Sequence, residues 1–170
     1  MTNIAEARRV IEQACGLGVT DFCVCAGSRN SPLLAVLGTS DLRIFSFVDE
    51  RSAAFFALGR AKLTGRPVAV VTTSGTAVAE LLPAAVEAHY SATPLIFITA
   101  DRPARYRGTG APQAIEQDGI FGVYAALPTA WDGSGVLHIN IEFDEPLIDE
   151  SLPSPIEPPS PHRRVGRGRH

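Results

Sequence analysis

The stretch IFSFVDERSAAFFALGRAKLTGRPVAVVTTSGTAVAELLPAAVEA, residues 44–88, decides the fold. Ile44 to Val48 is a compact apolar run that reads as a strand, and a helix follows from about Glu50 to Lys62. The chain turns at Gly65-Arg66-Pro67. Val68 to Thr72 is a second apolar run, followed by a predicted helix from about Thr76 to Ala88. Neither strand alternates polar with apolar residues, so both read as strands covered on both faces.

The same unit extends in both directions. Towards the N-terminus, Ile4, Ala7, Val10, Ile11 and Ala14 follow helical spacing, and Asn3 with Glu6 has the form of a capping box, which predicts a helix over 3–16. Phe22 to Ala26 is a strand ending at Gly27, and Ser31-Pro32 opens a second helix. Towards the C-terminus, Leu95 to Thr99 is a fourth strand. Apolar strands interleaved with helices predict an α/β fold: a doubly wound, mainly parallel sheet with helices on both faces. Past Arg102 a short helix is predicted near Gln113–Phe121, then an apolar piece, Val123 to Leu127, and a strand, Val136 to Ile141. Only Pro128 to Gly135 separate the last two, too few for an ordinary βαβ crossover.

Composition narrows the class. With 170 residues, 45% hydrophobic and 19% charged, the chain fits one globular domain, drawn at 1–150. Residues 151–170 hold five prolines and four arginines without apolar periodicity and are expected to form a disordered tail. Cys15, Cys23 and Cys25 form no CxxC pair and the four histidines are scattered, so neither a disulfide framework nor a metal site is indicated. Cys23 and Cys25 read as small hydrophobes on a buried strand. With no signal-peptide pattern and no membrane-length apolar run, a soluble cytoplasmic protein is predicted. Residues 1–150 carry 17 acidic and 11 basic side chains, a balance that excludes nucleic acid as the main ligand of the body. Lys62 is the one lysine and no glycine-rich run precedes it, which excludes a P-loop. Gly16 and Gly18 lead to Asp21 rather than a third glycine, so there is no dinucleotide fingerprint either.

In an open parallel sheet, ligands bind beyond the carboxyl ends of the strands. The notable polar clusters all fall there: Gly27-Ser28-Arg29-Asn30, Asp49-Glu50-Arg51, Thr73-Ser74-Gly75-Thr76 and Asp101-Arg102. Each has a plainer reading. Glu50 in a first helical turn complements the macrodipole, a duty Asp49 can also perform. Ser28 to Ser31 makes a turn and a cap, with Arg29 paired to a surface carboxylate. The small residues at 74–76 allow either close approach of a ligand or tight helix–strand packing.

GSRNSPL at 27–33, the segment 47–88, and LIFITADRP at 95–103 followed by Gln113-Ala114-Ile115 together resemble a known family. They are similar to the N-terminal, pyrimidine-binding domain of 2-succinyl-5-enolpyruvyl-6-hydroxy-3-cyclohexene-1-carboxylate synthase, the thiamine-diphosphate enzyme of menaquinone biosynthesis. The resemblance covers roughly residues 5–127, with a closing strand at Val136–Asn140. It implies that Glu50 is catalytic, bonding the aminopyrimidine ring nitrogen and driving the imino tautomer that activates the thiazolium carbon. That role needs a carboxyl group able to share a proton near neutrality. The resemblance further implies that Thr73, Ser74 and Gly75 lie near the cofactor, while Ser28, Arg29, Arg102 and Gln113 face the substrates, 2-oxoglutarate and isochorismate. Arginines suit such carboxylates through bidentate bonds.

Two departures shape the expectation. The central and diphosphate-binding domains are not in this sequence, so the metal, Mg or Mn, belongs to a domain absent from this chain and no metal ligand is assigned here. The family's helix between Leu127 and Val136 is also replaced by a short loop. The sequence therefore predicts half a site, a transferase chain inactive alone, acting as a homodimer or with a separately encoded diphosphate-binding chain. The alternative is a non-catalytic interaction or regulatory module derived from the same domain.

Overall fold

The computed structural model describes residues 2–149 and 154–158. Helix α1 (Asn3–Gly16) buries Ile4, Ala7, Val10, Ile11, Ala14 and Cys15 along one stripe. Its N-cap is Thr2, whose hydroxyl accepts from the Ala5 N–H at 3.1 Å, so the expected cap shifts by one residue. Asn3 is the first helical residue, and its side-chain amide donates to the carbonyls of Asp144 (2.7 Å) and Pro146 (2.9 Å). Glu6 pairs with Arg9 instead of closing a capping box.

The remaining elements are β1 (Asp21–Cys25), α2 (Ser31–Gly38), β2 (Arg43–Phe47), α3 (Glu50–Thr64), β3 (Val68–Thr72), α4 (Thr76–Ala79), α5 (Leu82–Tyr90), β4 (Leu95–Asp101), β5 (Ala125–Ala126) and β6 (Val136–Glu142). They form a six-stranded sheet in the order β2-β1-β3-β4-β6-β5, every pairing parallel. Strands β1, β3 and β4 are buried along their whole length, which is why their sequences run apolar without alternation. Strand β2 departs from that reading because it is an edge: Ile44 is 41% exposed, and Phe45 and Phe47 pack on Phe56 at 5.0 and 5.1 Å between ring centroids. One core lies between the sheet and α1 with α2, the other between the sheet and α3 with α5. The fold is thus a doubly wound parallel α/β layer.

Local rules moved several boundaries. The helix expected over 76–88 is two pieces, α4 and α5, with Pro83 in the first turn of the second. Proline has no N–H to continue the ladder, so the helix restarts there. No helix forms over 113–121. Gln113 has φ +56° and Gly119 φ +75°, both incompatible with helical backbone, and a single 3-10 turn follows at Gly122–Tyr124. Strand β5 lies parallel beside β6 over Ala125↔Val136 and Ala126↔Leu137, although the connection between them contains no helix. Trp131, from that connection, packs against the α1-side core. A cavity of about 460 Å³ is lined by Arg9, Gln13, Asp118, Leu127, His138 and Asn140.

The expectation of a tail without packing falls largely on residues outside the described ones. Within it, Ser154 to Pro158 are described, and Ile156 corrects the expectation: it is 6% exposed and joins the α1-side core. Arg8 donates to the Ser154 carbonyl at 2.5 Å beside it. One large apolar side chain suffices to dock a segment that lacks periodicity.

Candidate functional site

Strand order reverses between β1 and β3, since β1 leads outward to β2 while β3 leads the other way to β4. The loops at the carboxyl ends of β1 and β3 meet there. A Cβ on Gly27 would lie 2.5 Å from Thr73 Cβ, so only glycine lets the two loops approach. Asn30 braces the first loop: its Oδ1 accepts from Gly27 N–H and its Nδ2 donates to the Cys25 carbonyl, both at 2.9 Å. Asn30, rather than Ser31, is therefore the residue preceding α2, and its side chain serves the loop instead of the helix.

The β3 end carries the least conventional chemistry. Thr72, Thr73 and Ser74 are 0%, 6% and 1% exposed. Their hydroxyl oxygens find no hydrogen-bond partner among the described residues. An unmade buried hydrogen bond costs about 1–3 kcal/mol, so three unpartnered hydroxyls in succession are a costly arrangement within the chain. Gly75 follows with φ +82°, ψ −141°, and a Cβ there would come within 3.1 Å of Gln113 Cα. The turn is thus reserved for glycine by both conformation and space.

Glu50 is the first residue of α3 and is half-buried. Its neighbour Asp49 is the N-cap, accepting from the Ser52 N–H at 2.7 Å, and those hydrogen bonds to Ser52 hold the Asp49 carboxyl below its ordinary pKa. Asp49 therefore performs the capping duty, while Glu50 makes no hydrogen bond or ion pair with the described residues. The Glu50 charge reaches the β1 end: burial first, then the charges of Glu50 and Asp49, push the Cys25 thiol up to about 12. Arg51 pairs with Glu80 at 2.9 Å and ties this helix start to the segment after α4.

The four residues expected to face substrates are not brought together equally. Arg102 is half-buried; its Nε donates to the Pro112 carbonyl at 2.8 Å, next to Gln113, and its guanidinium lies 5.6 Å over Tyr106. Gln113 is exposed and backs onto Gly75. Ser28 is exposed, its carbonyl accepting from Ser31 N–H at 3.1 Å. Arg29 is already matched within the chain. It is 5% exposed, donates to the Phe143 carbonyl at 2.9 Å and pairs with Glu145 at 3.1 Å, beyond the end of β6.

Sequence reasoning missed a polar cluster under this surface. Gln117, 0% exposed, accepts from Gly75 N–H at 2.8 Å and donates to Asn140 Oδ1, also at 2.8 Å. Thr99 Oγ1 donates to the same Asn140 oxygen at 2.7 Å and lies 2.8 Å from His138 Nε2. Burial pushes His138 down to about 4, against the opposing pull of the Asp118 charge. The available signal was His138 and Asn140 standing two apart on an otherwise apolar strand, which places both on one face. Among the described residues, no group of three or more His, Cys, Asp or Glu is placed to hold a metal, and no helix is long and apolar enough to cross a membrane.

Comparison with known proteins shows the family. The family of thiamine pyrophosphate enzymes, N-terminal TPP binding domain, matches residues 6–120. A 2-succinyl-5-enolpyruvyl-6-hydroxy-3-cyclohexene-1-carboxylate synthase of Bdellovibrio bacteriovorus is 51% identical over 166 residues, covering 90% of this chain and 32% of that protein. The synthase of Corynebacterium diphtheriae is 49% identical, with 88% and 31% covered, and that of Halobacterium salinarum 41% identical, with 98% and 34% covered. The chain spans about a third of the length of these curated relatives. By sequence and by fold, the chain belongs to the thiamine pyrophosphate enzymes, as an N-terminal TPP-binding domain resembling that of the 2-succinyl-5-enolpyruvyl-6-hydroxy-3-cyclohexene-1-carboxylate synthases.

Proposed function

We propose that the chain is the pyrimidine-side half of a thiamine-diphosphate-dependent synthase that decarboxylates 2-oxoglutarate and joins the remaining acyl unit to isochorismate. The observation that carries this reading is the Glu50 carboxyl, freed from capping by Asp49 and standing at the same carboxyl edge of the sheet as the buried hydroxyls of Thr73 and Ser74. The residues fit the group: unmatched buried hydroxyls suit a polar heterocycle, and Gly27 and Gly75 let the β1 loop and the Gln113 segment close against the turn that would hold it. Thiamine diphosphate, when bound, supplies the reactive carbon and the electron sink. Glu50 would hold and release a proton at the aminopyrimidine ring nitrogen. Thr73, Ser74 and Gly75 would line the ring, and Arg102 with Gln113 would orient a substrate carboxylate. A substrate carboxylate reaching Arg29 would compete with Glu145, while Ser28 stands free at the rim.

The diphosphate and its Mg or Mn ion belong, on this reading, to a domain outside this chain, which acts as a homodimer or with a separately encoded diphosphate-binding chain. The chain alone is then without turnover, and its three unpaired cysteines suit a reducing cytoplasm. Reconstitution with a diphosphate-binding half is the test. Decarboxylation of 2-oxoglutarate should return, and Glu50→Gln should lower it at least a hundredfold, the scale of a lost general acid–base group. An unchanged rate removes Glu50 from its role. A second reading, a non-catalytic interaction module, draws on the pairing of Arg29 with Glu145, which leaves that arginine matched without substrate. Co-purification with a full-length synthase, without any gain in rate, would favour it.

A further inference from the structure

Gln117 sits in irregular backbone between β4 and β5, yet it is completely buried. Its side-chain amide makes three hydrogen bonds that fix its orientation. Oε1 accepts from Gly75 N–H at 2.8 Å, and Nε2 donates to the Ala100 carbonyl at 3.1 Å and to Asn140 Oδ1 at 2.8 Å. A flipped amide would set its NH2 against the Gly75 N–H and its oxygen against the Ala100 carbonyl, leaving both unsatisfied. Gly75 precedes α4 with no side-chain cap of its own, so Gln117 supplies the acceptor that this helix start lacks.

The bonds continue past the amide. Asn140 Nδ2 donates to Asp101 Oδ2 at 2.9 Å, and Asp101 Oδ1 accepts from the Arg102 N–H at 2.7 Å. One continuous chain of hydrogen bonds therefore runs from the Thr73–Gly75 turn to the backbone of Arg102, across the ends of β3, β4 and β6. Its two flanking members are dry, Gln117 0% and Asp101 1% exposed, while Asn140 between them is half-buried. No other described side chain bonds the Gly75 N–H.

We infer that Gln117 is a positioning residue, which holds the Thr73–Gly75 turn in its ligand-receiving shape and couples that turn to Arg102. This inference rests on the proposed cofactor-binding role of the turn. It assigns Gln117 no contact with cofactor or substrate. Its effect passes through Gly75 on one side and through Asn140 and Asp101 on the other.

Three proteins decide the point: the full chain, Gln117→Met, which keeps the side-chain length but removes all three bonds, and Val10→Ala, a destabilising change in the opposite core. Amide hydrogen exchange by NMR should show the Gly75 N–H of Gln117→Met exchanging about ten-fold faster relative to Val70 and Ile98, with no such selective change in Val10→Ala. Titration with thiamine diphosphate should be weakened about ten-fold in Gln117→Met only. In the unaltered chain, a scalar coupling across the hydrogen bond should connect the Gly75 amide nitrogen to the Gln117 side-chain carbonyl carbon, a readout that survives even where the variant fails to fold. Gly75 exchange that is unchanged, or equally faster in Val10→Ala, or absence of the coupling, overturns the inference. Absence of saturable thiamine diphosphate binding by the unaltered chain counts instead against the proposed function, while the exchange and coupling still decide the role of Gln117.

Discussion

The guanidinium of Arg29 lies 3.1 Å from the carboxylate of Glu145, joining the loop after β1 to the segment after β6. Arg29 is 5% exposed and Glu145 59%, so a buried cation is matched by a carboxylate at the surface, with the Phe143 carbonyl as second acceptor. Arg29→Ala should cost about 2 kcal/mol of folding stability through the unsatisfied carbonyl and lost packing, read from urea unfolding. Glu145→Gln should cost less than about 1 kcal/mol, because its charge is largely solvated. In a reconstituted complex the same Glu145→Gln should tighten use of the diacid substrates. Equal stability losses for the two substitutions would contradict this division of labour.

Asp21 is 3% exposed at the start of β1, and Arg60 of α3 reaches it, Nε to Oδ2 at 2.7 Å, while Arg43 stands at 3.4 Å. Removing one partner of a buried pair leaves a charge without compensation, at a cost of about 3–5 kcal/mol. Arg60→Ala should fall at the lower end of that range, since Arg43 remains. Chemical denaturation showing a loss below about 1 kcal/mol would mean that Arg43 alone suffices.

His138 makes stability depend on pH. Burial lowers its folded pKa from 6.5 to about 4, so between those values the unfolded chain binds the proton and the folded chain does not. The stabilisation is fully present above about pH 6.5 and is lost as pH falls towards 4, a total on the order of 3 kcal/mol. His138→Gln, which retains a donor for Thr99, should flatten the dependence in this window. Denaturant midpoints measured from pH 4 to 7 with identical slopes for both proteins would remove His138 as the titrating group.

Ile156 predicts the consequence of truncation. Ending the chain at Asp149, or replacing Ile156 by Ser, should lower stability by about 2 kcal/mol, because a large apolar side chain leaves the α1-side core. Thermal unfolding tests it. A midpoint within about a degree of the full chain would show that Ile156 contributes no packing.

Much of the architecture is legible in local patterns. The helical stripe of α1 and the apolar runs of β1, β3 and β4 are set by burial, which acts on consecutive or periodically spaced residues and so leaves a trace in order and spacing. The gathering of Gly27–Asn30, Asp49–Arg51, Thr73–Thr76 and Asp101–Arg102 at one sheet edge follows from parallel strands alone. The separation of duties between Asp49 and Glu50 was not legible, because two adjacent acids in a first turn are equivalent until one of them meets the Ser52 N–H.

Sequence by itself thus determined the α/β layering, the family and the glycines that the turns require, since each rests on composition, periodicity or motif within a short span. Only the tertiary structure decided that Gln117 reaches Gly75, that Arg29 turns to Glu145 and that Ile156 docks. The first two contacts join residues 42 and 116 positions apart, and the third depends on a single side chain. The physical reason is that a hydrogen bond or ion pair is set by the distance between two side chains after folding. The chain carries no periodic record of which distant partner a lone polar residue will meet.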